Sequence, residues 1–496
     1  MKILFLFIGT GLIVLVAVVL LRTMMLTSKQ VQGGPATYAA LDSRTLVGRL
    51  ARSIQFKTIS YQDPAQSKSE EFTGLHQFLD QAFPHVHETL KREVVAEYSL
   101  LYTWKGQNER LKPLLLMAHM DVVPAELQSG SGWTHPAFEG RIADGYLWGR
   151  GTLDDKDAML GILESVERLL QEGYAPRRTI YLAFGHDEEV GGQSGAASVA
   201  ALLYSRGIKL DYVLDEGLTI VEGVVPNITK PVALVGVAEK GYVSIEMAVE
   251  SEGGHSMMPP QQTAIGILSA AIDKIEQNQF PTRMGMPVRQ MFGTLAPEMP
   301  FSMKIIFANL WLFEGLVEKK LAASPRTNAL IRTTTAPTIF TSGVKENILP
   351  TTARSVVNFR LLQGESIGSV MEYVRRTIDD PRVKIRPSAG FSSEPSYISD
   401  TGSPGFRAIE LTIRQVFPEV LVAPGLCIGA TDSRHYAKLT KSIFRFSPLW
   451  LRPDDLQRIH GIDERISIEN YTKVVKFYTQ LIRNSDSMEE MGGAST

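Results

Sequence analysis

The sequence predicts an α/β protein: a doubly wound, mostly parallel sheet, a smaller α+β unit inserted into it, and one N-terminal transmembrane helix. Three observations carry this. Apolar strands alternate with amphipathic helices from LLLMAHM to YVLDEG, the rhythm changes to antiparallel-type strands near residue 238, and Ile3 to Leu21 is one uncharged apolar run. The bulk numbers set limits. A chain of 496 residues is long enough for two cores. A net charge of −2 with 21% charged residues leaves no footprint for nucleic acid. The single cysteine, Cys427, excludes an internal disulfide and a thiolate metal site, and reads as a small buried hydrophobe. Metal chemistry must then rest on His, Asp and Glu.

In chain order, residues 1–26 form a membrane anchor. As a helix, Ile3 to Leu21 spans roughly 28 Å, about the hydrocarbon thickness of a bilayer. The run is long for a signal-peptide core, and no clear small-x-small cleavage site follows in RTMMLTSKQ. A signal peptide with secretion is the alternative. Lys2 on one flank, with Arg22 and Lys29 on the other, leaves the orientation nearly undecided. Residues 27–40, small and polar, read as a linker.

Residues 41–237 hold the first part of the large domain. Its order is strand LLLMAHM, helix AMLGILESVERLLQEG, strand TIYLAFGH, a helix near SGAASVAALLYSRG, then strand YVLDEG. This is the βαβ order of a parallel sheet. Residues 238–392 form the inserted unit, with strands GYVSIEMAVES, ARSVVNFRLL and VKIRPSA and helices TAIGILSAAIDKIEQN and SIGSVMEYVRRTI. Within it, residues 301–322 (FSMKIIFANLWLFEGLVEKKLA) are unusually apolar. They read as helices packing on the inserted unit, with a membrane-contacting or lipid-binding surface as the alternative. Residues 393–485 complete the large domain, and 486–496 are a tail.

In such sheets, sites gather where the strands' carboxyl ends meet loops. MAHMD, FGHDEE and VLDEG each follow an apolar strand. His119 and Asp121 form an H-x-D, Asp154 lies in WGRGTLDDK, Glu188 and Glu189 in HDEEVGG, Asp215 in LDEG and His460 in RIHGIDERI. Singly, each has an ordinary reading as a strand-end histidine, a capped turn or a surface acid pair. As a buried set, unpaired carboxylates are unfavourable unless cations neutralise them. Oxygen and imidazole ligands without thiolate suit zinc in an open, catalytic site.

The strings MAHMDVVPAE, WTHPAFEGRIADGYLWGRGTLDDK, DEEVGG, GGHSMMPP, NILPTTARSVVNFR and IHGIDERIS follow one another between about residues 45 and 485. In that order they resemble the di-zinc metallopeptidases that include glutamate carboxypeptidase, succinyl-diaminopimelate desuccinylase, aminoacylase and carnosinase. The membrane-associated members, fungal carboxypeptidase S and the mammalian N-fatty-acyl-amino-acid synthase/hydrolase, are the most similar branch. The resemblance implies two zinc ions per subunit, with cobalt or manganese as alternatives. His119 and Asp215 would hold one ion, Glu189 and His460 the other, and Asp154 would bridge them, with Asp155 the other member of that acid pair. Asp121 would orient His119. Glu188 would be the general base and Asp187 a bystander. His460 is preferred to His435 because H-x-x-D-E is the family's closing motif, and His435 is placed near the substrate. His85 and His87, an H-x-H with no supporting residues, read as solvated or structural.

His255 is implied to reach the partner subunit's site in a homodimer and to donate to the carbonyl oxygen that gains charge. Asn347, Arg360 and Thr431 are implied to bind substrate, Arg360 by clamping its carboxylate. A surface salt bridge is the alternative for Arg360. The inserted unit would then be a lid and dimerisation domain, and the catalytic part would lie outside the cytoplasm. The implied reaction is hydrolysis of an amide bond beside a free carboxylate, in a small peptide or N-acyl amino acid, reversible as a synthesis where water is scarce. A catalytically inactive, membrane-tethered binding protein of the same fold is the rival, and it would tolerate loss of Glu188.

Overall fold

The computed structural model describes residues 2–36, 41–125 and 132–492. The end of the expected linker (37–40) and of the expected tail (493–496) lie outside the described residues. An eight-stranded sheet forms the centre, in the order Lys91–Val95, Ser99–Trp104, Ile180–Gly185, Leu114–His119, Val213–Val221, Ile443–Leu451, Val232–Glu239, Leu421–Cys427. It is mixed, where the sequence predicts mostly parallel. Ile180–Gly185, Leu114–His119, Val213–Val221 and Ile443–Leu451 run parallel. The two strands of residues 91–104 pair antiparallel with each other and with the rest, and Val232–Glu239 pairs antiparallel with Val213–Val221. Apolar runs and alternation identify a strand but carry no direction, so pairing sense escapes a pattern reading.

The central strand Leu114–His119 is buried along its whole length. Leu114, Leu116 and Ala118 pack in one cluster with helices Ser43–Ile54, Lys156–Gln171, Pro404–Val416 and Ile468–Gly492. Leu115 and Met117 pack in another with helix Ala196–Ser205. A strand covered on both faces needs apolar residues at every position, which is why LLLMA does not alternate. Helix Ile468–Gly492 crosses the expected boundary at 486. Asp486 is buried there and accepts the Arg177 N–H at 2.9 Å and the Tyr174 hydroxyl, so this part of the expected tail is held.

The chain leaves the large sheet at Glu239 and enters a four-stranded antiparallel sheet at Gly241, ordered Thr334–Ser342, Thr352–Leu361, Gly241–Glu250, Lys384–Pro387. Helices Ala264–Gln277 and Ile367–Ile378 cover it, with Leu268, Ala271, Val370 and Val374 packed against Ile245 and Val357. Thr334–Ser342 is a strand that the sequence pattern does not single out. It is a largely exposed edge strand containing Pro337, so it lacks the clean alternation of its neighbours.

The apolar segment forms helices Phe301–Ala308 and Leu310–Ala322. They do not join the cluster over the small sheet. Met303, Ile306, Phe307 and Leu310 pack instead with Met291 and Phe292 against Leu421 and Ala423 at the edge of the large sheet. Helix Lys2–Met24 is long and apolar enough to cross a membrane, with mean hydropathy 3.1 over an 18-residue stretch that is not buried in the protein. The segment after it is docked where the sequence suggests a free linker. The Gln30 side chain donates to the Val422 carbonyl at 2.9 Å and accepts the Val422 N–H at 2.7 Å.

Candidate metal centre

Of three adjacent parallel strands, Ile180–Gly185 and Leu114–His119 end together, with His119 paired to Gly185, while Val213–Val221 runs on past them and carries Asp215 and Glu216 in its first half. Asp154 sits in the turn before helix Lys156–Gln171, and His460 in the loop after Pro453–Leu456. Asp154 gives one oxygen to each histidine: Oδ1 lies 3.0 Å from His119 Nε2, and Oδ2 lies 3.0 Å from His460 Nε2. Glu189 Oε2 is 3.1 Å from the same His460 nitrogen. Asp155 joins neither contact and accepts the His119 backbone N–H at 3.2 Å.

Asp215, expected to share a cation with His119, does not reach it. Its Oδ2 accepts the Ser433 N–H at 2.8 Å. Glu216 stands in the expected place, with Oε1 3.7 Å from His119 Nε2. Among the described residues two groups bring their ligand atoms within 4.8 Å of one another: His119, Asp154 and Glu216, and Asp154, Glu189 and His460. The reason is a bulge. Asp215 pairs with Arg445 and Leu218 with Phe446, so Glu216 and Gly217 have no partners across the strand. Bulges re-aim side chains next to active sites. Gly217 has φ +143°, a conformation L side chains rarely adopt. The glycine directly after the acid pair in LDEG is the one local signal that could have pointed to Glu216, which the sequence reading passed over.

Behind the ligand atoms, Asp121 organises two turns. His119 Nδ1 donates to the Asp121 carbonyl at 3.0 Å and lies 3.4 Å from its carboxylate. The same carboxylate accepts Ser60 Oγ at 2.6 Å and the backbone N–H groups of Glu188 and Glu189 at 3.2 Å each. It therefore holds the backbone of both neighbouring acids. Asp187 closes the following turn by accepting the N–H groups of Ser194 and Gly195 at 2.7 and 2.8 Å.

A second buried pair, absent from the sequence reading, joins the Asp154 and His460 loops. Glu464 accepts the N–H groups of Gly151 and Leu153 at 2.9 and 2.8 Å and an Arg150 N–H at 2.5 Å. Arg150 in turn donates to the carbonyls of His460 and Gly461 at 3.1 and 3.0 Å. A buried ion pair persists only when further hydrogen bonds satisfy it, and these backbone groups supply them. Glu464 is the last letter of H-x-x-D-E, but nothing in the string IHGIDERI shows that it is buried or paired with Arg150.

The field at the centre favours positive charge. Burial pushes Glu188 and Glu216 well above the usual carboxylate range, and neighbouring acids add to this. Hydrogen bonds to Asp154 and Glu189 push His460 up to about 10. Burial opposes protonation of His119, but Asp121 and Asp154 outweigh it and raise its pKa. Glu189 Oε1 is buried without a hydrogen-bond partner beside these atoms. Imidazole nitrogens and carboxylate oxygens around an acidic focus, with an orphaned oxygen, fit divalent cations.

The remaining sequence-predicted residues lie outside these two groups. His255 and Asn347 are exposed and adjacent, on a short pairing in which His255 meets Ile348 and the Asn347 carbonyl accepts the Ser256 N–H at 3.2 Å. Arg360 lies half-buried over the Tyr242 ring at 4.6 Å and makes no ion pair among the described residues. Thr431, expected to face substrate, is buried with its hydroxyl 2.7 Å from Ser433 Oγ and its N–H on Glu239 at 2.7 Å. These bonds employ it in bracing the Ser433 turn that holds Asp215. His435 sits 3.3 Å from the Gly191 carbonyl. His85 pairs with Glu167 at 2.7 Å, and His87 bonds the Phe83 carbonyl at 2.8 Å and the Tyr102 hydroxyl at 3.0 Å. Cys427 is buried and free.

A carboxylate shared between two histidine-containing ligand groups, with a second glutamate alongside, defines a metallohydrolase. The chain belongs to peptidase family M20/M25/M40, whose model matches residues 115–484. It is 44% identical to the "Probable carboxypeptidase S-like 2" of Dictyostelium discoideum, over 96% of this chain and 93% of that one. It is also 44% identical to an N-fatty-acyl-amino acid synthase/hydrolase of Danio rerio, over 88% of this chain and 84% of that one. Among solved structures, the M20 family metallo-carboxypeptidase of Sulfolobus solfataricus shares the fold, with a TM-score of 0.64 at 16% identity over 89% of this chain and 99% of that one.

Proposed function

We propose that the protein is a zinc-dependent hydrolase that cleaves an amide or peptide bond next to a free carboxylate, as a carboxypeptidase or N-acyl-amino-acid amidohydrolase, and that it runs as a synthase where product is abundant. The shared Asp154 carboxylate between His119 and His460 carries this reading. His119 and Glu216 would hold one ion and Glu189 and His460 the other, and donors of this type also accept cobalt or manganese. When bound, the two dications would polarise the scissile carbonyl and ease deprotonation of water. Glu188 belongs to neither ligand group, and Asp121 fixes its backbone N–H. Its carboxylate takes the proton of the attacking water and passes it to the leaving amine.

His255 and Asn347 share an exposed tip. In a homodimer that tip would enter a neighbour's centre, and residues 238–392 would act as lid and dimerisation unit. His255→Ala should leave metal content intact and slow turnover by about 10²-fold or more, the usual cost of one oxyanion donor. Mixing it with Glu188→Gln should restore part of the activity, because each mixed dimer holds one intact composite site. No recovery when subunits demonstrably exchange would remove the trans assignment.

Arg360 has no carboxylate partner among the described residues and is half-buried, which suits it to the substrate's carboxylate. Amidating that carboxylate should remove most reactivity, by roughly the 1.5–3 kcal/mol of a hydrogen bond to a charged group. Arg360→Ala should then treat both forms alike. Equal rates for both forms in the unaltered protein would contradict this reading. Comparing dipeptides with long-chain N-acyl amino acids on the zinc-loaded protein tests the substrate class. Lys2–Met24 is proposed as a retained single-pass anchor, with the catalytic part outside the cytoplasm.

A further inference from the structure

We propose that helices Phe301–Ala308 and Leu310–Ala322 lie in the interface of the bilayer and form a second membrane contact beside the span, so that the partner of this face is a lipid surface. The inference rests on the reading of Lys2–Met24 as a retained membrane span.

Depth is the first argument. Asn309 between the two helices is 0% exposed, and its side-chain amide donates to the Val19 carbonyl at 3.2 Å and the Thr23 hydroxyl at 3.3 Å. Arg22 Nε donates back to the Ala308 carbonyl at 3.3 Å. At 1.5 Å per residue, Val19 lies only about 7.5 Å from the end of a helix that closes at Met24. In a span matched to a hydrocarbon core of about 30 Å, Thr23 lies at the boundary between acyl chains and headgroups and Val19 about 5 Å inside it, the depth that interfacial helices reach. Whatever bonds to Val19 and Thr23 sits at that depth.

Surface chemistry is the second. Phe301, Trp311, Leu312 and Leu316 are 56%, 54%, 44% and 61% exposed, and Val317 is the only buried residue of the longer helix. Two neighbouring helices that expose aromatic and aliphatic side chains are unfavourable against water and normal against lipid. Trp311 adds an indole N–H, 3.4 Å from Asn309 Oδ1, and tryptophan is enriched at membrane–water interfaces. Lys304, Lys319 and Lys320 on the same helices offer ammonium groups to phosphate headgroups. Continuity is the third. Gln30, just beyond the span, is bonded to the edge strand Leu421–Cys427, which these helices also cover. This places the Leu421–Cys427 edge towards the bilayer and the opposite edge, Lys91–Val95, away from it.

The test uses the full chain with Cys427→Ala, one molecule per phosphatidylcholine nanodisc, carrying an environment-sensitive fluorophore at one introduced cysteine. Leu316→Cys and Leu312→Cys report the proposed contact, Leu12→Cys the span, and Val94→Cys the far edge. Nitroxide lipids labelled at a shallow position should remove most of the emission at residues 316 and 312 and leave residue 94 bright. Lipids labelled deep in the chain should quench residue 12. With residue 12 quenched, bright and water-like probes at 316 and 312 overturn the contact and leave the span reading standing. Blue-shifted but unquenched emission there identifies protein as the cover, from this chain or a second copy, and also overturns it. A bright residue 12, or a mature chain lacking the first 24 residues by intact mass, overturns the span reading and the contact with it.

Discussion

Glu188→Gln should keep two zinc ions and lose about 10²- to 10⁴-fold in turnover, the range that positioned general bases contribute. Glu189→Gln should instead bind one ion weakly, with activity partly restored by excess metal. Glu189 Oε2 lies 3.1 Å from His460 Nε2 in the group centred on Asp154, whereas Glu188 joins neither ligand group. Both backbones hang from the same Asp121 carboxylate. The two substitutions are chemically identical and one residue apart, so a general loss of stability would affect both alike. Metal analysis beside kinetics separates them. Metal loss in Glu188→Gln with retention in Glu189→Gln would reverse the roles, and full activity in both would move the chemistry elsewhere.

The second large effect contrasts Glu216 with Asp215. Glu216→Gln should weaken one metal ion by more than the roughly 10- to 100-fold that loss of an outer-shell partner costs, and turnover should fall with occupancy. Asp215→Asn keeps an oxygen acceptor for the Ser433 N–H. It should retain both ions and most activity, at a stability cost of about 1–3 kcal/mol if its buried bonds are weakened. Competitive chelator titration reads the affinities, and denaturant unfolding reads the stability. Full metal binding by Glu216→Gln with loss in Asp215→Asn would restore the assignment implied by the sequence and mean that the bulge at Glu216–Gly217 does not set the ligand.

That contrast marks how far the sequence can be read. LDEG shows an acid pair at a strand end, and strand alternation sends its two members in different directions. Which member meets His119 depends on how Val213–Val221 pairs with Ile443–Leu451, more than 200 residues later. Thr431 shows the same limit. The family resemblance implied a donor to substrate, but the Glu239 and Ser433 contacts that employ it are invisible in the local string. Glu464 and Arg150 are far apart in sequence and become a buried pair only when two loops close on each other.

By itself the sequence determined the local facts. A single cysteine leaves imidazole and carboxylate as the available metal ligands. The LLLMA and TIYLAF runs require strands buried on both faces, and H-x-D and D-E-E at strand ends put acids and imidazole where parallel strands open. The uncharged run at the amino terminus requires a helix of bilayer length. Tertiary structure alone decided the rest: the mixed direction of the large sheet, the bulge that turns Glu216 inward, the docking of Gln30 on an edge strand, and the seat of helices 301–322 against the large sheet. Periodicity records which face of its own element a residue occupies. Direction, register and burial of charge are set by the neighbour, and the neighbour is distant in the chain.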